Sequence, residues 1–372
     1  MPPRARVLIV DDSRIFRAAL QASLTEQEGI DVVGSVFSGQ KALEFIQATP
    51  PDVVTLDVEM PGLNGLETLQ AIQRWNAGRA PGTEVGVVMV SAHTKRGADV
   101  TIQALQDGAF DFVTKPTGPR PEENLLTLRQ QLNSKIQLFL ASRSRQAATD
   151  RAPRPLVTPR PARTEPAPSS RRRQWAHLRS VRAVVIAAST GGPKALERLV
   201  PDLRGRLDLP LLIVQHMPPK FTQSFAESLA RVSASTVVEA QEGELVRSRS
   251  VYIAPGGKHL LLRQDGGRLV TALNEQPPEN GCRPSADVLF RSAAAVLQGH
   301  VVAVVLTGMG RDGTAGLGAL KRAGGYVLAQ DEATSVVWGM PGSAVEAGLA
   351  DEVLPLGEIA AAVAMLVSRT EA

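Results

Sequence analysis

The chain has 372 residues, 43% of them hydrophobic and 21% charged, ordinary for a soluble globular protein and long enough for about two domains. Its single cysteine, Cys282, excludes an internal disulfide framework and a thiolate metal cluster built from this chain alone, so a reducing, cytoplasmic address is expected. No apolar run approaches about 18 residues and no long h-region follows the N-terminus, so no membrane insertion is expected.

Over the first 140 residues short β-rich runs alternate with helical patterns. Strands are predicted at 7–10, 31–37, 52–58, 85–92 and 111–115, and helices at 13–24, 39–48, 64–75, 97–108 and 122–140. This (βα)5 order implies a doubly wound parallel sheet whose functional crevice lies beyond the carboxyl ends of its strands. Asp11 and Asp12 follow the first strand, Asp57 the third, Ser91 the fourth and Lys115 the fifth. One such aspartate alone reads as a turn or cap residue. Three converging carboxylates repel one another unless a cation joins them, which predicts a hard divalent ion, Mg²⁺, on oxygen ligands. With Lys115 and the Ser91 hydroxyl nearby, the group can hold a phosphoryl on one carboxylate.

The stretches "VDDS" (10–13), "DVEMPGLNGLE" (57–67), "MVSA" (89–92) and "FVTKP" (112–116) resemble response-regulator receiver domains over nearly the whole of this half. The resemblance implies Asp57 as phosphoacceptor, Asp11 and Asp12 as further metal ligands, and Ser91, Phe112 and Lys115 as positions that report phosphorylation. It also implies a histidine kinase as phosphodonor and a cis peptide at Lys115–Pro116.

Residues 141–180 hold ten arginines, no lysine, and only Asp150 and Glu165 as acids, a net +8 that leaves the rest of the chain at −4 against an overall +4. Six prolines and few bulky apolar residues mark a solvated tether that cannot bury enough surface to fold. The positive charge lies in this tether, without a basic recognition helix or interleaved aromatics, so no nucleic-acid partner is expected. The expected organisation is a first domain at 1–141, a flexible basic linker at 142–178 and a second domain at 179–372.

After the linker a second alternation predicts strands at 183–188, 209–216, 301–308, 326–330 and 351–356. Helices are predicted at 194–200, 221–232, 285–297, 314–325, 342–348 and 357–369. "GGK" (256–258) and "DGG" (265–267) punctuate short alternating runs in the manner of a hairpin. A second doubly wound, Rossmann-like sheet follows. "STGGP" (189–193) sits where its first strand meets a helix; Ser189 or Thr190 reads locally as a cap, with Gly191 and Gly192 permitting the turn. His216 ends the next strand, and Asp312 lies in the Gly-rich loop after "VVAVVLTG" (301–308). Each has an ordinary reading, a polar strand end or a turn former. All three belong to one rim of a parallel sheet, where Ser, His and Asp make the constellation for nucleophilic acyl transfer. Backbone N–H groups around Gly191 and the 308–310 loop are candidate oxyanion donors. Neither loop has the spacing of a dinucleotide or Walker phosphate cradle.

"IAASTGGP" (186–193), "VQHMP" (214–218), "VYIAPGGKHL" (251–260), "RPSADVLF" (283–290), "LTGMGRDG" (306–313) and "WGMPGSA" (338–344) resemble the CheB family of chemotaxis methylesterase/glutaminases. The resemblance implies Ser189 as nucleophile, His216 as base and Asp312 as third member, with Thr190, Gly191 and Met309 forming the site. It implies no cofactor in this domain and methylated chemoreceptors as substrate. Cys282 stands where the family often has histidine. On this reading the receiver packs over the catalytic rim until Asp57 is phosphorylated. The competing reading is a non-catalytic output or docking module, which would have no reason to gather Ser189, His216 and Asp312.

Overall fold

The computed structural model describes residues 4–25, 27–80, 82–151, 181–233 and 235–368. The chain divides into two compact units. No helix among the described residues is long and apolar enough to cross a membrane.

The first unit is an alternation of β1 (Ala5–Val10), α1 (Arg14–Thr25), β2 (Ile30–Val36), α2 (Gly39–Ala48), β3 (Val53–Asp57), α3 (Gly65–Asn76), β4 (Gly86–Ser91), α4 (Lys95–Gln106), β5 (Asp111–Thr114) and α5 (Pro121–Arg151). The five strands pair in parallel in the order β2-β1-β3-β4-β5. Strands β3 and β4 are buried along their whole length, as their unbroken apolar runs require for a sheet covered on both faces. Helix ends are set by local chemistry. Asn64 caps α3 in a reciprocal box with Glu67, and Ser38 and Thr94 accept from the first turns of α2 and α4. The apolar core joins Val7, Ile9, Leu20, Val88, Val113 and Leu132. Strand order reverses direction between β1 and β3, so the crevice of this sheet opens beside Val10 and Asp57.

Two expectations change here. Helix α5 does not stop near 140 but continues to Arg151, into the segment read as linker. No proline or glycine interrupts residues 141–151, and Arg143 pairs with Asp52 beneath the sheet. The remaining linker residues, 152–180, lie outside the described residues. The peptide bond at Lys115–Pro116 is trans; the cis X-Pro bond among the described residues is Arg283–Pro284.

The second unit runs β6 (Ala183–Ala188), α6 (Gly192–Arg204), β7 (Leu211–Gln215), α7 (Phe221–Ser233), β8 (Thr236–Glu239), β9 (Ser250–Ile253), β10 (His259–Asp265) and β11 (Arg268–Asn274). It continues with α8 (Ala286–Leu297), β12 (Val301–Val305), α9 (Thr314–Arg322), β13 (Tyr326–Gln330), α10 (Met340–Glu346), β14 (Glu352–Leu354) and α11 (Leu356–Ser368). Seven strands form a parallel sheet in the order β14-β13-β12-β6-β7-β9-β8, and β10-β11 form a separate antiparallel hairpin. The hairpin turn is "DGG", with Gly266 and Gly267 both at positive φ. The run before it is different from a hairpin: β8 and β9 join the main sheet side by side in parallel. Their connection folds back because the Tyr252 hydroxyl accepts from the Arg247 N–H and donates to the Leu245 carbonyl. Strand order reverses at β6, with β7 on one side and β12 on the other. The crevice of this unit therefore lies where Ser189, His216 and the loop after β12 emerge.

Candidate active site and phosphorylation site

In the first unit the structure gathers what the strand ends promised. Asp11 and Asp57 are buried, Asp12 is exposed, and one oxygen of each lies within 4.8 Å of the others. The Lys115 ammonium donates to Asp11 Oδ2 and Asp57 Oδ2, both at 2.8 Å, and sits 4.5 Å from the Phe16 ring centroid. Lys115 pairs with two of the three carboxyl groups. Burial pushes the Asp57 carboxyl up to about 6, with the Asp11 charge adding and Lys115 opposing. A set of hard oxygen donors still rich in negative charge after Lys115 is counted fits a hard divalent cation. Ser91 is fully buried and level with Thr114, but its hydroxyl donates to the Gly97 carbonyl at 3.1 Å rather than to Asp57. Phe112 is buried on β5 opposite Met89. Gly65 has no room for a side chain, since a Cβ there would lie 2.2 Å from the Asp57 carbonyl oxygen, and α3 thereby starts hard against the strand that carries Asp57.

In the second unit Ala188 pairs with Gln215 and the His216 N–H donates to the Ala188 carbonyl, so Ser189 and His216 leave adjacent strands at the same level. Ser189 is held from both sides. Its N–H donates to the Thr307 carbonyl and its carbonyl accepts from Gln215 Nε2, both at 3.0 Å. Gly191 takes φ +79° at the cap of α6, and a Cβ there would meet Val336 at 2.7 Å. Thr190 is buried, its carbonyl accepting from the Thr307 hydroxyl at 2.9 Å. Gly308 also must lack a side chain, because a Cβ would come within 2.8 Å of Ser189 Cβ. Met309 is exposed beyond it.

Asp312 and His216 meet directly: imidazole Nε2 donates to Asp312 Oδ2 at 2.8 Å. Nδ1 faces the Cys282 sulfur at 3.6 Å; in the neutral imidazole, whose proton is on Nε2 toward Asp312, Nδ1 carries the lone pair. The Ser189 hydroxyl forms no hydrogen bond among the described residues, so the structure joins His216 to Asp312 and sets Ser189 beside them without the last link. Asp312 is almost completely buried yet ionised. Burial alone would push its carboxyl up, but the hydrogen bonds from His216, the Ser285 hydroxyl (2.6 Å) and the Ala286 N–H (2.6 Å) hold it at about 2. Ala286 and Asp287 open α8, so the carboxylate occupies the N-terminus of that helix, where anions are favoured. Burial pulls the His216 imidazole down, but the bond to Asp312, with Cys282 adding, raises it to about 9.

The residues that hold this arrangement escaped the sequence reading. Ser285, at the cap of α8, spends its hydroxyl on Asp312 rather than on the helix, and Asn280 adds a longer contact. Thr307, Gln215 and Gln330 are buried polar side chains within or at the ends of apolar strands; Gln215 bonds to the Ser189 carbonyl and Thr307 to the Thr190 carbonyl, while Gln330 accepts from the Thr307 N–H. A polar residue interrupting a buried strand was the available signal.

The family profile described as CheB methylesterase matches residues 184–363, and that of the response regulator receiver domain matches 7–126. A protein-glutamate methylesterase/protein-glutamine glutaminase of Geobacillus kaustophilus is 44% identical over 364 residues, covering 97% of this chain and 98% of its own. The chain belongs to the protein-glutamate methylesterase/protein-glutamine glutaminase family. A relative of the same description in Pyrococcus abyssi is 41% identical over 356 residues, 96% of this chain and 92% of that one. Among solved structures, the catalytic domain of the Thermotoga maritima CheB methylesterase is 44% identical and covers 50% of this chain and 100% of its own, with a TM-score of 0.49. The receiver domain of the same protein is 40% identical, covers 36% of this chain and 94% of its own, and has a TM-score of 0.31. This chain joins a receiver domain to a methylesterase domain.

Proposed function

We propose that the protein is a phosphorylation-activated serine hydrolase that removes γ-methyl esters from glutamates of chemoreceptors and deamidates particular glutamines. The observation that carries this reading is the level pairing of Ser189 with His216, whose imidazole is already bound to a buried, ionised Asp312. A docking module has no use for a carboxylate desolvated and then compensated by five donors, one of them an imidazole. Ser189 Oγ attacks the side-chain carbonyl carbon as its proton passes to His216 Nδ1, while Asp312 holds the imidazolium through Nε2. Backbone N–H groups of Thr190, Gly191 and Met309 are the candidates to face the oxyanion. The imidazolium returns its proton to the leaving group, methanol or ammonia departs, and water, deprotonated by the same nitrogen, releases glutamate and restores Ser189.

In the receiver, Asp57 takes a phosphoryl group from a histidine kinase. Asp11, Asp12 and Asp57 would hold Mg²⁺, which when bound neutralises charge on the phosphoryl oxygens. Lys115 exchanges a carboxylate partner for a phosphoryl oxygen, and Ser91 turns from the Gly97 carbonyl to another, with Phe112 following the change. The bounds read from the sequence, 1–141 for the receiver, 142–178 for the linker and 179–372 for the hydrolase, move at the first boundary to Arg151, where α5 ends.

Mass spectrometry of methylated receptor peptides incubated with the phosphorylated protein tests the activity. Loss of the methyl group is expected, and Ser189→Ala should lower the rate by on the order of 10³- to 10⁶-fold. Methanol release by that variant at the wild-type rate would overturn the assignment.

A further inference from the structure

We propose that His216 Nδ1 and Cys282 Sγ form a thiolate–imidazole site for Zn²⁺ that shuts off hydrolysis by occupying the nitrogen Ser189 needs. The two atoms lie 3.6 Å apart. A tetrahedral zinc with bonds of about 2.0 Å to nitrogen and about 2.3 Å to sulfur spaces those ligands about 3.5 Å apart, so neither side chain has to move appreciably. Asp312 supplies the outer support such sites carry. Its carboxylate accepts from Nε2 and thereby fixes the tautomer whose lone pair is on Nδ1, the arrangement in which a carboxylate orients a metal-bound histidine. Oxygen, nitrogen and sulfur atoms of Asp312, His216 and Cys282 all lie within 4.8 Å of one another.

The site is open enough to be reached, because both His216 and Cys282 are only partly buried. On binding, the Cys282 thiol proton and the Nδ1 proton of the imidazolium both leave to solvent, and water fills the remaining positions. Ligand chemistry separates this site from the receiver's: a thiolate with an imidazole selects zinc or similarly soft ions, whereas the oxygen set of Asp11, Asp12 and Asp57 suits Mg²⁺. The ion here is an inhibitor and not a cofactor, since it displaces the proton transfer that the reaction requires.

The inhibition half of this proposal rests on the hydrolase reading, so the test has two arms. Full-length protein freed of metal by a chelator and returned to excess Mg²⁺ is titrated with Co²⁺, and the thiolate-to-cobalt charge-transfer absorption is followed. The chain has one cysteine, so the band reports Cys282 alone. It is expected in the wild type and absent from Cys282→Ala. In the second arm Zn²⁺ is titrated against methanol release, each protein normalised to its own zinc-free rate. Cys282→Ala and Cys282→Ser should both need at least about tenfold more zinc for half-inhibition. No thiolate band in the wild type, or equal zinc sensitivity in all three proteins, overturns the proposal. Absence of methanol release from zinc-free wild type would instead refute the hydrolase reading, while the cobalt spectrum still decides the site.

Discussion

In the proposed mechanism the His216 imidazole acts as a base only in its neutral form, and its surroundings work against that form. Asp312 and Cys282 outweigh burial and raise the imidazole from the ordinary 6.5 to about 9. In zinc-free protein kcat/KM should therefore climb by about tenfold per pH unit through neutrality and level off only near pH 9. Cys282→Ala removes one of the groups that raise His216 and should shift the inflection downward; an unchanged profile would show that the thiol has no hold on the base. Asp312 gives the opposite sign. Its carboxyl is depressed to about 2, so the stability it contributes is complete above its unfolded value near 4 and is lost as pH falls through about 2. Ser285 is a positioning residue in this scheme. Ser285→Ala removes the 2.6 Å hydrogen bond to Asp312 and should cost about 1.5 to 3 kcal/mol in denaturant unfolding. It should also raise the pH at which acid destabilises the fold. A serine that merely filled space would leave that acid limb where it is.

The elements place these side chains by close backbone approach as much as by hydrogen bonding. Ser189 rests against Gly308, where an added Cβ would lie 2.8 Å from Ser189 Cβ and 2.4 Å from Met340 Sδ. Gly308→Ala should thus destabilise the second unit by about 1 to 3 kcal/mol and lower kcat, because the loop carrying Ser189, the proposed nucleophile, must move to admit the methyl. Thermal unfolding together with steady-state kinetics reads both. Much of this was legible beforehand. Strand-helix alternation with short connections put Asp11, Asp57, Ser189 and His216 at strand ends, and strand ends of a parallel sheet share a rim. What stayed hidden depends on distance along the chain. The sequence contains nothing local to say that the α8 N-terminus, from Ser285 to Asp287, meets Asp312 across 25 to 27 residues. The alternating runs around 236–273 likewise gave no partner or direction, because strand period says nothing about either, and only DGG proved to be a hairpin turn. Bonds from Tyr252 to Arg247 and Leu245, together with backbone bonds from Gly243 and Val246 to β11, turn the connection between β8 and β9 back and make them parallel neighbours.

At the scale of the whole molecule, the question is whether the receiver restrains the hydrolase. Each unit has its own apolar core, one built on Val7, Ile9 and Val88, the other on Val185, Val214 and Val305, so each is equipped to fold separately. Helix α5 moves the useful cut: it runs to Arg151, and Arg143 bonds to Asp52, so a break at residue 141 would tear the first unit. A fragment beginning at residue 152 keeps the hydrolase whole. If the receiver contributes a coupling of about 1 to 3 kcal/mol, this fragment should release methanol roughly 5- to 150-fold faster than the unphosphorylated full chain. Phosphorylation of Asp57 adds nearly two negative charges beside Lys115 and should raise the full chain's rate toward that of the fragment. Asp57→Asn should hold the full chain at its low rate whatever phosphodonor is supplied. A fragment no faster than the unphosphorylated protein would mean that the receiver does not inhibit, and that activation by Asp57 works through recruitment of substrate, which would then appear in KM and leave kcat unchanged.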